Sequence, residues 1–191
     1  MNTATYLKPI VECLLFLSDT PLSVKKLREI IEHAKPEAFQ EALEMLVQEY
    51  AQPGRGFELK EVGGGYQFRS RPEFKEYIKR LRKVQVSRLS KPSLETLSII
   101  AYKQPVMKAE VERLRGVDCS GVLRYLLEND LIRILGRKSV PGRPLIYGTT
   151  RRFLEVFDLK DLSELPSLED FKRWEEDVGH NDAGTSAEGP G

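Results

Sequence analysis

The chain has 191 residues, of which 40% are hydrophobic and 31% charged, an ordinary balance for one or two globular domains. No apolar run approaches the ~18 residues of a membrane span, and the apolar start, MNTATYLKPIVECLLFL, has no basic leader and no small-residue cleavage site, so no membrane partner is expected and the stretch reads as a folded helix. The net charge of +1 conceals a division: residues 1–74 hold nine basic and eleven acidic residues, 75–152 eighteen and seven, and 153–191 three and eleven. A basic middle is compatible with a polyanionic partner, and an acidic end can repel or screen one. For any single Lys or Arg, a solvated surface is the plainer reading.

The first helix is expected over residues 6–18. Ile10, Val11, Cys13, Leu14, Leu15, Phe16 and Leu17 are apolar on almost every side, whereas a surface helix needs one apolar stripe. The surplus implies a second burial, against another domain or another copy, unless a long neighbouring helix covers it internally. Ile10, Val11, Leu14 and Leu17 are the candidates for a dimer interface. Asp19-Thr20-Pro21 breaks this helix, and Ser23 caps a second with Leu27, Ile30 and Ile31 inward. Pro36 opens a third, through about Ala51, with Phe39, Leu43, Leu46 and Val47 inside. Phe57, Leu59 and Val62 alternate with charged residues as a half-buried strand, Gly63-Gly64-Gly65 turns the chain, and Tyr66–Arg69 returns. The glycines lack the Lys-Ser/Thr pair and following helix of a phosphate loop, so they read as a hairpin tip. Pro72 starts a last helix.

The same order recurs from Leu94 to Thr150. Pro105 stops a helix at Gln104, Gly116 closes the next as a left-handed cap, and Asp118 or Ser120 caps the third. In that third helix Leu123, Leu126 and Leu127 form one buried stripe. Leu131, Ile132, Ile134 and Leu135 make an apolar strand, Pro141-Gly142-Arg143-Pro144 turns, and Leu145, Ile146 and Tyr147 return. Phe16–Leu22 parallels Ile100–Val106, and Phe68 before Pro72 and Phe74 parallels Tyr147 before Arg151 and Phe153. The fold class is therefore mainly α with small β wings: two tandem winged-helix domains. The first spans 1–83 and carries the dimer-interface candidates, a basic linker covers 84–92, and the second spans 93–159. A short packing segment covers 160–174, with Leu162, Leu165, Leu168, Phe171 and Trp174 at helical spacing, and a disordered acidic tail covers 175–191.

A helix-turn-helix suggests DNA, so the third helices are the place to look for readers. The first exposes Glu37, Glu41, Glu44 and Glu49, which a phosphate lattice repels. The second turns out Ser120, Arg124, Tyr125 and Glu128, a thin reading head. Arg137, Lys138 and Arg143 flank the wing and suit phosphates without sequence preference, so only weak or indirect DNA contact is expected. No nucleophile elbow, Walker loop or dinucleotide turn is present, and two His and two Cys, widely spread, give no metal spacing. No cofactor and no catalytic residue is expected. His33 and His180 lie far from Thr149 and Thr150, and Cys13 and Cys119 read as packed thiols. Protein binding is the remaining use. Tyr102, Gln104, Met107, Arg124 and Tyr125 around the second helix-turn-helix are the candidates for a partner contact, all but Gln104 being aromatic, Met or Arg residues suited to an interface core. Core packing is the plainer reading of each apolar one singly.

The stretches LETLSIIAYKQPV (94–106), RGVDCSGVLRYLLENDLIRILGRK (115–138), VPGRPLIYGTT (140–150) and FLEVFDL (153–159) resemble the segregation and condensation protein B family, the kleisin-associated subunit of bacterial SMC complexes. The likeness covers most of residues 6–170. It implies a cytoplasmic, nucleoid-associated, non-enzymatic homodimer joined through its N-terminal domain. Such a dimer clasps the kleisin ScpA, reaches the SMC ATPase through it, and serves chromosome condensation and segregation at cell division. The alternative from the residues is a winged-helix transcriptional regulator, favoured by the basic middle.

Overall fold

The structure, a computed structural model, describes residues 3–32, 34–82 and 89–167. His33, His180, most of the basic linker, the residues Leu168, Phe171 and Trp174 and the acidic tail lie outside the described residues.

Three helices open the chain: α1 (Thr3–Leu17), α2 (Val24–Ile30) and α3 (Pro36–Ala51). The Ser23 hydroxyl accepts the Lys26 amide at 3.2 Å and so starts α2, and Pro36 takes the first position of α3, where no amide donor is needed. α1 begins three residues earlier than its periodicity suggests, and Pro9 lies inside the helix. The cost of the missing donor is offset by packing, because Ala4 in the added residues and Leu7 just after them are buried. Leu7, Val11 and Leu15 of α1 meet Phe39, Leu43 and Leu46 of α3, with Leu27 of α2 beneath them, in one core. Ile30 is a correction: it lies on the solvent side of α2, and only Leu27 of that helix is fully buried.

A hairpin follows, β1 (Phe57–Val62) and β2 (Gly65–Ser70), antiparallel with Val62 opposite Gly65. Gly63 and Gly64 both have positive φ, the two-residue turn whose twist matches that of the strands. A 3-10 turn (Pro72–Phe74) leads into α4 (Lys75–Arg82).

The second half repeats the order: α5 (Lys91–Lys103), a short β3 (Val106–Met107), α6 (Lys108–Arg115), α7 (Ser120–Glu128), β4 (Ile132–Arg137), β5 (Leu145–Thr149) and α8 (Arg151–Val156). Gly116 ends α6 at φ 72, as its sequence position suggests. Cys119 is the N-cap of α7, and Asp118 accepts from the amide and the hydroxyl of Ser120. The sheet order is β3-β5-β4, with Val106 opposite Tyr147. The first half carries the counterpart as a single bridge, Leu22 opposite Tyr66. Tyr66, not Phe68, is therefore the equivalent of Tyr147, two residues from the match that sequence spacing suggests.

The two halves touch through the β1–β2 tip and the end of the second half. The amides of Gly63 and Gly64 donate to the carbonyls of Leu159 (2.9 Å) and Lys160 (3.1 Å). Arg69 donates to the Glu155 carbonyl at 3.1 Å, Arg151 to the Pro21 carbonyl at 2.6 Å, and Lys60 pairs with Asp158. Lys160 and Glu61 close the set at 3.0 Å. The triple glycine thus serves as a hairpin tip whose amides are used within the chain. By backbone proximity the chain divides after Asp161, and the described part of the second unit holds one 3-10 turn, Leu162–Glu164.

Candidate partner surfaces

α1 has two faces. Ala4, Leu7, Val11 and Leu15 are buried in the core described above. Turned away from them are Tyr6 (67% exposed), Phe16 (73%) and Leu17 (71%), with Pro9 and Cys13 also exposed and Ile10 half-buried. These positions recur at three and four residues, so they form one apolar stripe of about three turns. Of the interface candidates, Leu17 and Ile10 belong to this stripe. Val11 is a correction: it is 0% exposed in the chain's own core. Leu14 is partly buried and packs against that core as well. Cys13 is exposed rather than packed, while Cys119 is buried, which pushes its thiol above the ordinary range.

Beside the stripe lies a cleft of about 230 Å³ lined by Pro9, Glu12, Cys13, Phe16, Tyr50, Phe57 and Phe68. Its wall is an aromatic triad, with Tyr50 stacked on Phe57 at 5.4 Å and edge-on to Phe68 at 4.7 Å. Arg55 covers the Tyr50 ring at 5.0 Å. The Tyr50 hydroxyl donates to Glu12, and this bond to a carboxylate, then burial, raises its pKa to about 12. Lys8 pairs with Glu49 near by and holds that carboxyl below its ordinary range. The 3-10 turn and α4 add a second exposed apolar row, Phe74, Tyr77 and Leu81, at three- and four-residue steps. Sequence reasoning passed over it, although the spacing is visible between the Lys and Arg residues of that helix.

In the second half the candidates separate. Tyr102, in the last turn of α5, is 44% exposed, Tyr125 of α7 is 37% exposed, and Arg124 is exposed with no hydrogen bond or ion pair among the described residues. Met107 is half-buried, pairs with Ile146 across the sheet, and donates its amide to Glu110 at 2.8 Å. Gln104 is a correction, because its amide is committed within the domain. Its nitrogen donates to the Ala101 carbonyl and lies 3.0 Å from the Thr149 hydroxyl, and its oxygen accepts the Thr149 amide at 2.8 Å. This side chain ties the end of α5 to β5 and has no donor or acceptor left for a partner anchor. Val106 and Tyr147 are buried in the sheet core. At the start of α7, Lys108 bridges Glu112 and Asp118, each at 3.3 Å. Bonds from Ser120 first, with Lys108 adding to them, hold Asp118 at about 2.

The exposed face of α3 carries Glu37, Glu41 and Glu44. Glu49 is half-buried and taken up by Lys8 and Arg55. The hairpin between β4 and β5 holds Arg137, Lys138 and Arg143, all exposed. Among the described residues no group of three His, Cys, Asp or Glu could hold a metal ion, and no helix is long and apolar enough to cross a membrane.

The family model for the segregation and condensation complex subunit ScpB matches residues 9–168. The chain belongs to the ScpB family. Segregation and condensation protein B of Syntrophotalea carbinolica is 48% identical, over 86% of this chain and 83% of that protein. The protein of the same name from Moorella thermoacetica is 47% identical, over 86% of this chain and 84% of its own length. Among solved structures, a dimer of an ScpB N-terminal domain complexed with ScpA peptide is 33% identical, covering 40% of this chain and 95% of that chain at a TM-score of 0.36. The family match spans both halves and the segment that joins α8 to the β1–β2 tip.

Proposed function

We propose that this chain is a non-enzymatic adaptor of a chromosome segregation and condensation complex in the bacterial cytoplasm, associated with the nucleoid. It works as a homodimer that holds the kleisin ScpA and reaches the SMC ATPase through it. The observation that carries the reading is membership of the ScpB family across residues 9–168. The repeated element order, with Leu22–Tyr66 and Val106–Tyr147 at corresponding places, supports two tandem winged-helix domains, about 1–83 and 93–159, on either side of a short basic linker. The apolar stripe of α1 supports dimerisation through the first domain. Tyr6, Phe16 and Leu17 leave an apolar stripe exposed on one helix, the kind of patch that a second copy can cover.

Partner contact falls to Tyr102, Arg124 and Tyr125 of the second domain, with Met107 at the edge. Exposed aromatic and Arg side chains are the anchors that typically dominate an interface, with losses of ~2 kcal/mol or more on truncation. The test is capture of ScpA from the protein's own cell by Arg124→Ala and Tyr125→Ala. Capture is expected to fall while melting temperature and dimerisation hold. Wild-type capture by both variants removes these residues from the kleisin site. An intact protein that captures no kleisin, and instead protects one DNA sequence from cleavage, replaces the adaptor by the regulator.

A further inference from the structure

We infer that the tip of the β4–β5 hairpin is a sequence-independent binding site for the phosphodiester backbone of double-stranded DNA, a contact that the adaptor reading neither requires nor supplies. Arg137, Lys138 and Arg143 meet within one turn and are all exposed. Three bonds hold the turn in one shape. The Arg143 amide donates to the Val140 carbonyl at 2.9 Å, the Lys138 amide donates to the Pro144 carbonyl at 2.9 Å, and the Arg137 guanidinium donates to the Arg143 carbonyl at 3.1 Å. Arg143 sits at φ 40, a conformation that side-chain-bearing residues rarely adopt, just after Gly142 at φ 81. A turn that needed only to reverse the chain would place a glycine or asparagine there. Here an arginine occupies the strained position and its guanidinium faces solvent.

The strand register shifts between Ile134 and Gly136, a bulge that re-aims the residues beyond it, Arg137 first. Arg133 is a further exposed cation on the same strand, but it lies toward the end away from the tip, opposite Gly148. Neither Arg133 nor Arg143 has an ion pair among the described residues, and Lys138 meets a carboxylate, Glu110, at 4.0 Å. The acids of this region, Glu128 and Asp130, precede β4 and so lie at the far end of the hairpin. Guanidinium groups in a fixed frame, with little neutralising charge, suit phosphate oxygens. The exposed carboxylates of α3 make the other half repel the same ligand, so the contact is one-sided and reads no bases.

The experiment uses the full-length chain without any partner, so its outcome is separable from that of kleisin capture. Fluorescence anisotropy follows a labelled duplex and its scrambled counterpart between about 50 and 200 mM salt. The probe variant is Lys138→Gln/Arg143→Gln, which keeps the Arg137 brace, and Arg133→Gln is a second variant away from the turn. Two phosphate contacts contribute about 1.8 to the slope of log affinity against log salt, so the double variant should lose about twelvefold less affinity over that range than the wild type. Both duplexes should behave alike, and Arg133→Gln should show a smaller change in the same direction. The inference is overturned if the wild type does not bind at low salt, if the double variant keeps the wild-type slope, or if one duplex is strongly preferred. Equal binding of poly-glutamate, lost in the same variant, would instead make the tip a site for acidic polypeptides and also overturn it.

Discussion

Truncating Phe16 to Ala should dissolve the proposed dimer without unfolding the chain. Complete burial of a large apolar side chain is worth ~1.5–3 kcal/mol. Phe16 is 73% exposed in the single chain, so a covering partner adds roughly 1–2 kcal/mol of that value. A two-fold interface uses the residue twice, and the loss per dimer is about 2–4 kcal/mol, or about 30- to 700-fold in the dissociation constant. The assay is sedimentation velocity across the micromolar range, with thermal melting alongside. Leu7→Ala is the contrasting variant: it opens a cavity in the α1–α3 core, where Leu7 is 1% exposed, and should cost ~2–5 kcal/mol of folding stability. Phe16→Ala should therefore shift the association constant and leave the melting temperature near wild type. A wild type that stays monomeric at high micromolar concentration, or a Phe16→Ala chain that associates unchanged, refutes the assignment of this face.

Gly65→Ala should destabilise the first half by ~1–3 kcal/mol in urea unfolding, because a β-carbon there would stand 2.7 Å from the backbone carbon of Leu22 and force the Leu22–Tyr66 bridge apart. Gln104→Leu should cost ~1–3 kcal/mol, since it leaves the buried Thr149 amide without its acceptor, and kleisin capture corrected for folded fraction should not change. The Asp118 carboxyl sits at about 2 in the folded chain against an ordinary 3.8, so between these values the unfolded chain binds more protons. Its contribution to stability is complete above the ordinary value and is lost as pH falls to the folded one. Asp118→Asn should therefore flatten the fall of the urea midpoint across that acid window and leave the neutral-to-alkaline range unaltered.

Much of this architecture is local and can be read from residue order. Pro36, Ser23, Gly116 and Gln104-Pro105 bound helices where the sequence places them, because caps and breakers act through the backbone groups of three or four neighbours. The hairpin with its tip at Gly63-Gly64 follows from alternation and from the turn it demands. The family resemblance was legible in the same way, in the LETLSIIAYKQPV, GRK and VPGRPLIYGTT stretches.

What the residues could not settle alone lies wherever a choice depends on a distant segment. A helix apolar on nearly every side has no dominant face, so periodicity could not separate Val11 from Ile10 or Phe16. α3, more than twenty residues downstream, makes that choice by burying one side and leaving the other. Gln104 read as a free polar residue at a helix end, and only the return of β5 forty-five residues later brings Thr149 to its amide. Tyr66 rather than Phe68 matches Tyr147 because strand pairing, not spacing from the next proline, sets the register. The docking of the β1–β2 tip on Leu159 and Lys160 joins residues nearly a hundred positions apart through backbone amides and carbonyls, which carry no side-chain signature, so only the tertiary structure could decide it.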